Sequence, residues 1–478
     1  MKKVRTRFAP SPTGFMHIGN LRTALYGYLF AKKNDGEFIL RVEDTDQERK
    51  VEGAVELVYR TLKTAGIEVD ESPLNEGSVG PYIQSERKAI YKEYAEKLVE
   101  LGGAYYCFCD KERLDTLTDE NGNRTYDKHC LHLDKEEIAT RLARGDRYVI
   151  RQNIPESGKT SYEDMVFGTI SVDCAELEDN VLLKSDGMPT YNFANVVDDH
   201  LMAISHVIRG TEYLSSTPKY NLIYQSFGWE LPQYMHLSPI MKDEKRKLSK
   251  RYGDANFEDF VAKGYLPEAI INYIALLGWS PKNNEEKMTM AELQEKFAVD
   301  GLTRSGSIFD EAKLRWLNSQ YIKELPVDKF RELAKPYYDS SIIAGKYDYD
   351  KFSALLQSRI DTLGEIVEKV VFIEDFEGYD LELFLHKKMK MTYPIALEAM
   401  KGAKEVLEAG GMENLHDALV AKAEEMGLKK GQILWGLRIG VTGQQVTPGG
   451  ATEMVDILGV EKAIERLEYS MEHIKSAL

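Results

Sequence analysis

The sequence predicts an α/β fold on a parallel sheet, an α+β segment inserted between its two halves, and an all-α C-terminal region. Three observations carry this reading. The strand-like Val4-Arg-Thr-Arg-Phe8 runs through a turn with Pro10, Pro12 and Gly14 into a segment where Leu21, Ala24, Leu25, Tyr28 and Leu29 keep the spacing of one apolar helix face. Strand–helix alternation then gives way, between residues 71 and 187, to turn residues and cysteines. Beyond residue 326, helical patterns run to the end. The expected domains are 1–70 with 188–256 (the two halves of the sheet domain), 71–187 (the insertion), 257–325 (helical) and 326–478 (helical).

The opening strand, glycine-bearing turn and helix N-terminus form the geometry that receives a phosphate. His17 stands just before the positive end of that helix, and Gly19 lets a nucleotide approach the backbone closely. Phe38-Ile-Leu-Arg-Val42 reads as a short strand that delivers Glu43, Asp44 and Asp46 at its C-terminal end, the edge where open α/β sheets bind ligands. A second helix follows, with Val51, Ala54, Val55, Val58 and Leu62 on one face. The insertion opens with Pro73, Gly77 and Gly80, carries a polar loop at 119–124, and contains an alternating stretch, Arg147 to Gln152. The sheet is expected to resume near Val181 and at Ser205–Arg209. Residues 257–321 read as mostly helical, with Pro326 as a boundary. The helices beyond are broken by Gly410-Gly411 and by the turn-rich 442–450.

The chain has 478 residues, 43% hydrophobic and 29% charged, which suits a folded protein of two or more domains. Its N-terminus has no apolar stretch behind its charges, and Ala269 to Trp279 is interrupted by Asn272 and too short to span a bilayer. Four cysteines do not make a disulfide scaffold. A cytoplasmic enzyme is the expected class. The net charge of −16 neither supports nor excludes an RNA partner, because a local basic stripe coexists readily with an acidic whole.

Lys242, Lys245, Arg246, Lys247, Lys250 and Arg251 crowd ten positions of this acidic chain. Cations gathered this way suit a transition state whose charge builds on a triphosphate; the alternative is a solvated charge run. Cys107-x-Cys109 and Cys130-x-His132 offer the four ligands of a structural zinc site (Zn2+), against small apolar core thiols as the alternative. Cys174 stands alone and reads as an inert core thiol.

Two signatures, Phe8-Ala-Pro-Ser-Pro-Thr-Gly-Phe-Met-His17-Ile-Gly19-Asn20 and Lys247-Leu-Ser-Lys250-Arg251, closely resemble those of class I aminoacyl-tRNA synthetases. Their surroundings resemble the bacterial-type glutamyl branch of that class: Leu40-Arg-Val-Glu43-Asp-Thr-Asp46, Thr190 to Asp199, His206-Val-Ile-Arg209-Gly210, Phe309 to Asn318, and Leu437 to Gly443. The resemblance covers essentially the whole chain. It departs at Asn20, where the superfamily's consensus has histidine, a position that varies within the glutamyl branch.

The resemblance implies a Rossmann-like catalytic domain, an insertion that grips the tRNA acceptor end, a stem-contacting region and an anticodon-binding C-terminal domain. It further implies a monomer that uses ATP, Mg2+, L-glutamate and glutamate tRNA through a glutamyl-adenylate, with glutamine tRNA as a second acceptor left open. Pro10, His17, Gly19, Asn20, Lys247, Leu248, Ser249, Lys250 and Arg251 are then the ATP site, with His17, Lys247 and Lys250 catalytic. Arg7, Ala9, Ser11, Glu43, Tyr191, Asn195 and Arg209 are the glutamate site. Arg7 and Arg209 are the carboxylate readers, since a guanidinium fork matches both carboxylate oxygens. The bland reading of Arg7 is a buried ion pair with Glu43 or Asp44. A zinc-bearing subset of the family carries a similar Cys107, Cys109, Cys130, His132 arrangement within the insertion. In the C-terminal region, Arg359, Lys429, Lys430, Trp435 and Arg438 are candidates for reading the anticodon. A glutaminyl relative would end in β-barrels rather than helices, and a paralogue that only binds RNA would lack His17, Lys247 or Lys250.

Overall fold

β1 (Arg5–Phe8) is buried along its whole length and pairs in parallel with β2 (Glu37–Leu40), Arg7 lying opposite Ile39. The crossover between them is α1 (Ile18–Lys33), the predicted helix. Leu21, Ala24, Leu25, Tyr28 and Leu29 are all buried, and Lys32 and Lys33 close the helix, where positive charge suits its C-terminal end. α2 (Ala54–Thr64) buries Ala54, Val58 and Leu62. Val51 does not belong to it and is exposed, because Gly53 takes a left-handed φ of +76° immediately before the first helical residue. The computed structural model describes residues 3–12, 14–46, 51, 53–117, 126–249, 255–410 and 412–476.

The insertion comprises α3 (Lys88–Glu100), β3 (Ala104–Cys107), α4 (Lys111–Thr116), α5 (Lys135–Arg144), β4 (Val149–Gln152), β5 (Lys159–Asp164), β6 (Gly168–Asp173) and β7 (Val181–Leu183). β3, β4 and β7 form an antiparallel sheet. Val181 therefore does not resume the first sheet: β7 completes the sheet of the insertion, and Leu182 and Leu183 pack with Tyr91 and Leu98 of α3 and with Ile150.

The second half of the parallel-sheet fold follows as α6 (Tyr191–Leu201), β8 (His206–Gly210), α7 (Thr217–Phe227) and β9 (Gln233–Leu237). β8 and β9 are parallel, and the Ser205 amide donates to Arg5 O at 2.9 Å, which joins the two halves. β5 and β6 are an antiparallel hairpin, and Asp164, the last residue of β5, pairs in parallel with Tyr234. The sheet order is β6-β5-β9-β8, so a hairpin from the insertion extends the parallel β8–β9 sheet.

β10 (Ile240–Met241) leads into the basic hairpin, followed by α8 (Phe257–Ala262), α9 (Pro267–Ala275), α10 (Met290–Lys296), β11 (Ser307–Ile308) and α11 (Glu311–Glu324). Arg22 on α1 is buried and donates to the carbonyls of Leu277, at 2.7 Å, and Ser238. This fixes the first helix against the segment that carries the second signature.

The chain divides into two compact units, Met1–Phe260 with Pro267–Glu311 and Val261–Leu266 with Ala312–Leu478. The division falls at Glu311, ahead of Pro326, because α11 is bonded into the second unit. Asn318 accepts from Leu266 N at 2.8 Å and donates to Asp361 O, and Arg315 pairs with Glu365 at 2.8 Å. The second unit continues through α12 (Val327–Asp339), α13 (Tyr349–Leu356), α14 (Glu365–Lys369), α15 (Tyr393–Glu408), α16 (Leu415–Glu425), α17 (Lys430–Thr442), α18 (Ala451–Leu458) and α19 (Val460–Lys475). Among the described residues, no helix is long and apolar enough to cross a membrane.

One face of α17 sets the spacing of the second core. A Cβ on Gly436 would stand 2.9 Å from Ala399 Cβ on α15, and one on Gly440 would stand 2.8 Å from Leu467 Cδ2 on α19. Gly436→Val is therefore expected to destabilise the second unit by about 1–3 kcal/mol through overpacking, read as a lower urea midpoint for the helical signal.

Candidate active site

The first signature folds as a cap. His17 is the N-cap of α1, and its Nδ1 accepts from the Gly19 amide at 3.0 Å. A Cβ at position 19 would come within 3.1 Å of that nitrogen, so the imidazole would have to give way to any larger residue. Pro10 O accepts from Glu43 N at 3.0 Å, which joins the signature turn to the end of β2. Ser11 and Asn20 are exposed, and Ala9 and Pro10 half-buried.

The second signature lies on a hairpin arm returning past β10. Lys242 N donates to Arg246 O at 2.8 Å and Leu248 N to Ile240 O at 3.0 Å, leaving Lys247 exposed and Ser249 half-buried. Lys250 and Arg251 lie outside the described residues. After them, Ala255 O accepts from Ile18 N at 2.8 Å and Phe257 N donates to Met16 O at 3.1 Å. The chain leaving the second signature is thus hydrogen-bonded to both neighbours of His17, and the fold brings the signatures together.

Beneath the turn lies a buried network of charges. Arg7 grips Asp199 with two bonds, Nε to Oδ1 at 3.1 Å and Nη2 to Oδ2 at 3.0 Å, and its Nη1 donates to Ile208 O at 3.2 Å. Arg41 donates to Asp199 at 2.8 Å and to Glu43 at 2.9 Å. Asp198 accepts from Arg87 at 2.7 Å, Gln84 at 2.8 Å and the Tyr91 hydroxyl at 2.8 Å. The partner of Arg7 is therefore Asp199, and not Glu43 or Asp44. Glu43 is taken by Arg41, and Asp44 accepts from the Ser85 amide and hydroxyl. Burial raises the pKa of Glu43 despite Arg41 beside it. Sequence reasoning gave Arg41, Asp198 and Asp199 no role, although two adjacent acids closing an apolar helix were a signal that both are matched by buried cations.

Arg209, at the end of β8, is 5% exposed and has no carboxylate partner among the described residues. Its guanidinium carbon lies 5.2 Å from the Tyr213 ring centroid, 5.0 Å from Tyr220 and 5.6 Å from Tyr234, a cage of cation–π faces. Tyr191 stacks obliquely on Tyr213 at 5.4 Å, and Asn195 Nδ2 donates to Tyr191 O at 2.7 Å. Arg209 donates to neutral acceptors, Nε to His236 Nε2 at 3.3 Å and Nη2 to Thr217 Oγ1 at 2.6 Å. Behind His236, its Nδ1 meets Asp164 Oδ2 at 2.7 Å. Neither His236 nor Asp164 was found from the sequence, because they lie 72 residues apart and on different domains of the expected layout.

In the insertion, Cys107, Cys109 and Cys130 gather with all sulfurs within 4.8 Å of one another. Tetrahedral zinc with bonds of about 2.3 Å spaces its sulfurs at roughly 3.8 Å, so the cluster fits a metal. His132 is not part of it and is exposed. Residues 129–132 form a 3-10 turn, in which positions two apart point about 240° around the axis. The hydroxyl of Tyr126 lies there instead, 3.3 Å from Cys107 Sγ and 3.4 Å from Cys109 Sγ. Hydrogen bonding from the Cys130 thiol, with Tyr126 and Arg151 adding to it, lowers the pKa of Cys107 to about 4, and Cys130 is pushed up in turn. Cys174 is buried with Ile154 and Leu222, as an apolar core thiol.

The second unit holds a cavity of about 670 Å³ lined by Arg359, Lys369, Phe372, Gln444, Val446 and Thr447, among others. Arg438 donates to Gln445 O at 3.3 Å, steadying this turn. Trp435 is half-buried and donates to Phe384 O at 3.3 Å, while Lys429 and Lys430 are exposed at the start of α17.

Comparison with known proteins agrees with this geometry. Residues 3–316 match the family model "tRNA synthetases class I (E and Q), catalytic domain", and residues 329–471 match "Anticodon binding domain". A glutamate–tRNA ligase of Clostridium botulinum is 54% identical over 481 residues, covering 99% of both chains. One of Clostridium tetani is 52% identical over 483 residues, covering 100% of this chain and 99% of its own. The crystal structure of a glutamate tRNA ligase from Elizabethkingia meningosepticum, in complex with its amino acid, superposes with a TM-score of 0.90 at 34% identity, covering 99% of this chain and all of that one. The chain belongs to the class I tRNA synthetases of the glutamate and glutamine group, and within that group to the glutamate–tRNA ligases.

The buried Asp164–His236 pair makes the first unit acid-sensitive. Burial, helped by the charge of Arg209, lowers the pKa of His236 below 6.5. Burial pushes Asp164 up, but hydrogen bonds from His236 and the Phe167 and Val166 amides outweigh it and hold its pKa below 3.8. As pH falls below about 6.5, the unfolded histidine takes up a proton that the folded one does not, so stability is lost. The urea midpoint is expected to fall between pH 7.5 and 5.5, and His236→Gln to flatten that slope.

Proposed function

We propose that the chain joins L-glutamate to the 3′ end of glutamate tRNA in two steps on one site, acting as a monomer in the cytoplasm. The α-carboxylate of glutamate attacks the α-phosphate of ATP, pyrophosphate leaves, and a ribose hydroxyl of the terminal adenosine takes the acyl group with release of AMP. The observation that carries the reading is Arg209: a buried cation in a tyrosine cage, held by neutral groups, with no acidic partner among the described residues. Leaving such a charge unmatched is costly, and a substrate carboxylate matches it.

Arg209 is then the reader of the side-chain carboxylate, with Tyr191 and Asn195 lining the pocket. Arg7, with donors left over from Asp199, closes it. Glu43, Ser11 and Ala9 face the backbone end of the substrate, where the ammonium would offset the burial of Glu43. Pro10, His17, Gly19, Asn20, Lys247, Leu248 and Ser249 surround ATP, and Lys250 and Arg251 continue the same motif. Mg2+ entering with ATP neutralises triphosphate charge. Such a site works by positioning and charge stabilisation rather than by a protein nucleophile. By the same reading residues 71–187 hold the acceptor end, 257–325 the stem and 326–478 the anticodon, with the cavity beside Arg359 receiving a base. Structural zinc on Cys107, Cys109 and Cys130 stiffens the insertion, with Tyr126 nearer to the fourth position than His132.

The decisive assay is charging of separate glutamate and glutamine tRNAs with labelled glutamate or glutamine. Glutamate is expected on glutamate tRNA; its appearance on glutamine tRNA as well marks an enzyme that accepts both. Charging with glutamine instead would falsify the role of Arg209. Arg209→Gln should cut glutamate kcat/KM by about 10⁴-fold, and Lys247→Met should lower kcat by roughly 10²–10³-fold with KM for glutamate little changed. Metal analysis should find one zinc per chain, lost in Cys109→Ser. Retention in His132→Ala but not in Tyr126→Phe would identify the fourth ligand as Tyr126.

A further inference from the structure

Arg209 does not stand alone in its cage. A guanidinium Nε is always a donor, so the nitrogen facing it at 3.3 Å, His236 Nε2, must present a lone pair. The imidazole proton then sits on Nδ1, where Asp164 Oδ2 accepts it at 2.7 Å. Asp164 is itself held as an anion. Its Oδ1 accepts from the amides of Val166 at 2.9 Å and Phe167 at 2.8 Å, and its Oδ2 also accepts from His236 N at 3.1 Å. Thr217 Oγ1 donates to Tyr213 O at 2.8 Å, so its lone pairs are turned to Arg209 Nη2. The side chains of Asp164 and His236 are fully buried.

We propose that Asp164 and His236 are positioning residues that fix Arg209 through a neutral acceptor and so set the preference for glutamate over glutamine; this rests on Arg209 being the reader of the side-chain carboxylate. An acid in direct contact would hold Arg209 equally well but would cancel the charge that the substrate must find. Placing the acid one imidazole away separates the two tasks. Asp164 orients the ring, the ring orients the guanidinium, and Nη1 with the remaining Nη2 hydrogen keeps its full charge for the ligand. Glutamine, with no anion to offer, gains least from that arrangement. The acid comes from the end of β5, so the insertion supplies part of the support for amino-acid selection.

The test uses the full chain and compares KM for glutamate, KM for ATP, kcat and inhibition by glutamine. His236→Asn removes the acceptor that faces Arg209, whereas in His236→Gln the amide oxygen reaches the Nε2 position. Asp164→Asn can donate to Nδ1 and reverse the tautomer, turning an N–H towards Arg209. His236→Asn and Asp164→Asn should raise KM for glutamate about 10- to 100-fold, by analogy with the loss of an orienting partner behind a metal ligand. KM for ATP and kcat should move little, glutamine should compete better, and His236→Gln should restore most of the loss. Nitrogen NMR of the native chain should show His236 protonated on Nδ1 alone. Equal losses in His236→Asn and His236→Gln, spread over both KM values and kcat, would reduce the pair to packing and overturn the proposal. So would a proton on Nε2, an observation that needs no variant to fold. If Arg209→Gln raises KM for glutamate and His236→Asn does not, this proposal alone fails. If Arg209→Gln leaves KM unchanged, the reading beneath it fails too.

Discussion

Asp199 is the anion on which the catalytic half of the molecule turns. It lies on α6 and accepts at once from Arg7 on β1 and Arg41 just beyond β2, so two neighbouring strands and the helix of the other half meet at one carboxylate. Asp198, one residue earlier, draws in Arg87 and Gln84 from the start of the insertion. Burying so many charges adds little net stability, because desolvation offsets most of the attraction. What it supplies is specificity of arrangement: each guanidinium is satisfied in one geometry, and removing any member strands the others. The proline–glycine turn above and the tyrosine cage beside it inherit their positions from that fit.

Arg7 and Arg209 show how the same residue type serves opposite ends. Arg7 is neutralised by a bidentate carboxylate and mainly holds the fold together. Arg209, equally buried, is surrounded by rings and neutral acceptors and retains its charge. The difference follows from what α6 and β9 place opposite them, an aspartate in one case and an imidazole in the other. A site that must recognise an anion can afford only a few cations of the second kind.

Local patterns made much of this legible. The apolar spacing of α1 identified the helix, and the proline–glycine turn before it marked where the helix starts, with His17 as its cap. The helical C-terminal half followed from periodicity. The features that escaped are those set by pairing over long distances. Nothing near Val181 tells which sheet it joins, since a short apolar strand reads the same in either. Arg7 looked as though it would pair with the acids closest to it in sequence, whereas α6 delivered one from residue 199. His132 matched a ligand spacing that only a backbone conformation other than a 3-10 turn could bring to the cysteines. His236 and Asp164 carried no pattern at all, because a buried pair formed between strands from different segments has no local period.

The hairpin β5–β6 lies between residues that enter and leave the insertion, yet Asp164 is paired in register with Tyr234 of the catalytic sheet. A segment that looks in the sequence like a cassette is therefore sewn in by its middle. Trimming it back to a short linker, or exchanging it with that of another member of the group, would leave β9 as a raw edge with unpaired amides and His236 without its anion. The modular boundary for grafting or minimisation runs around the β3–β4–β7 sheet, while the hairpin has to travel with the catalytic core.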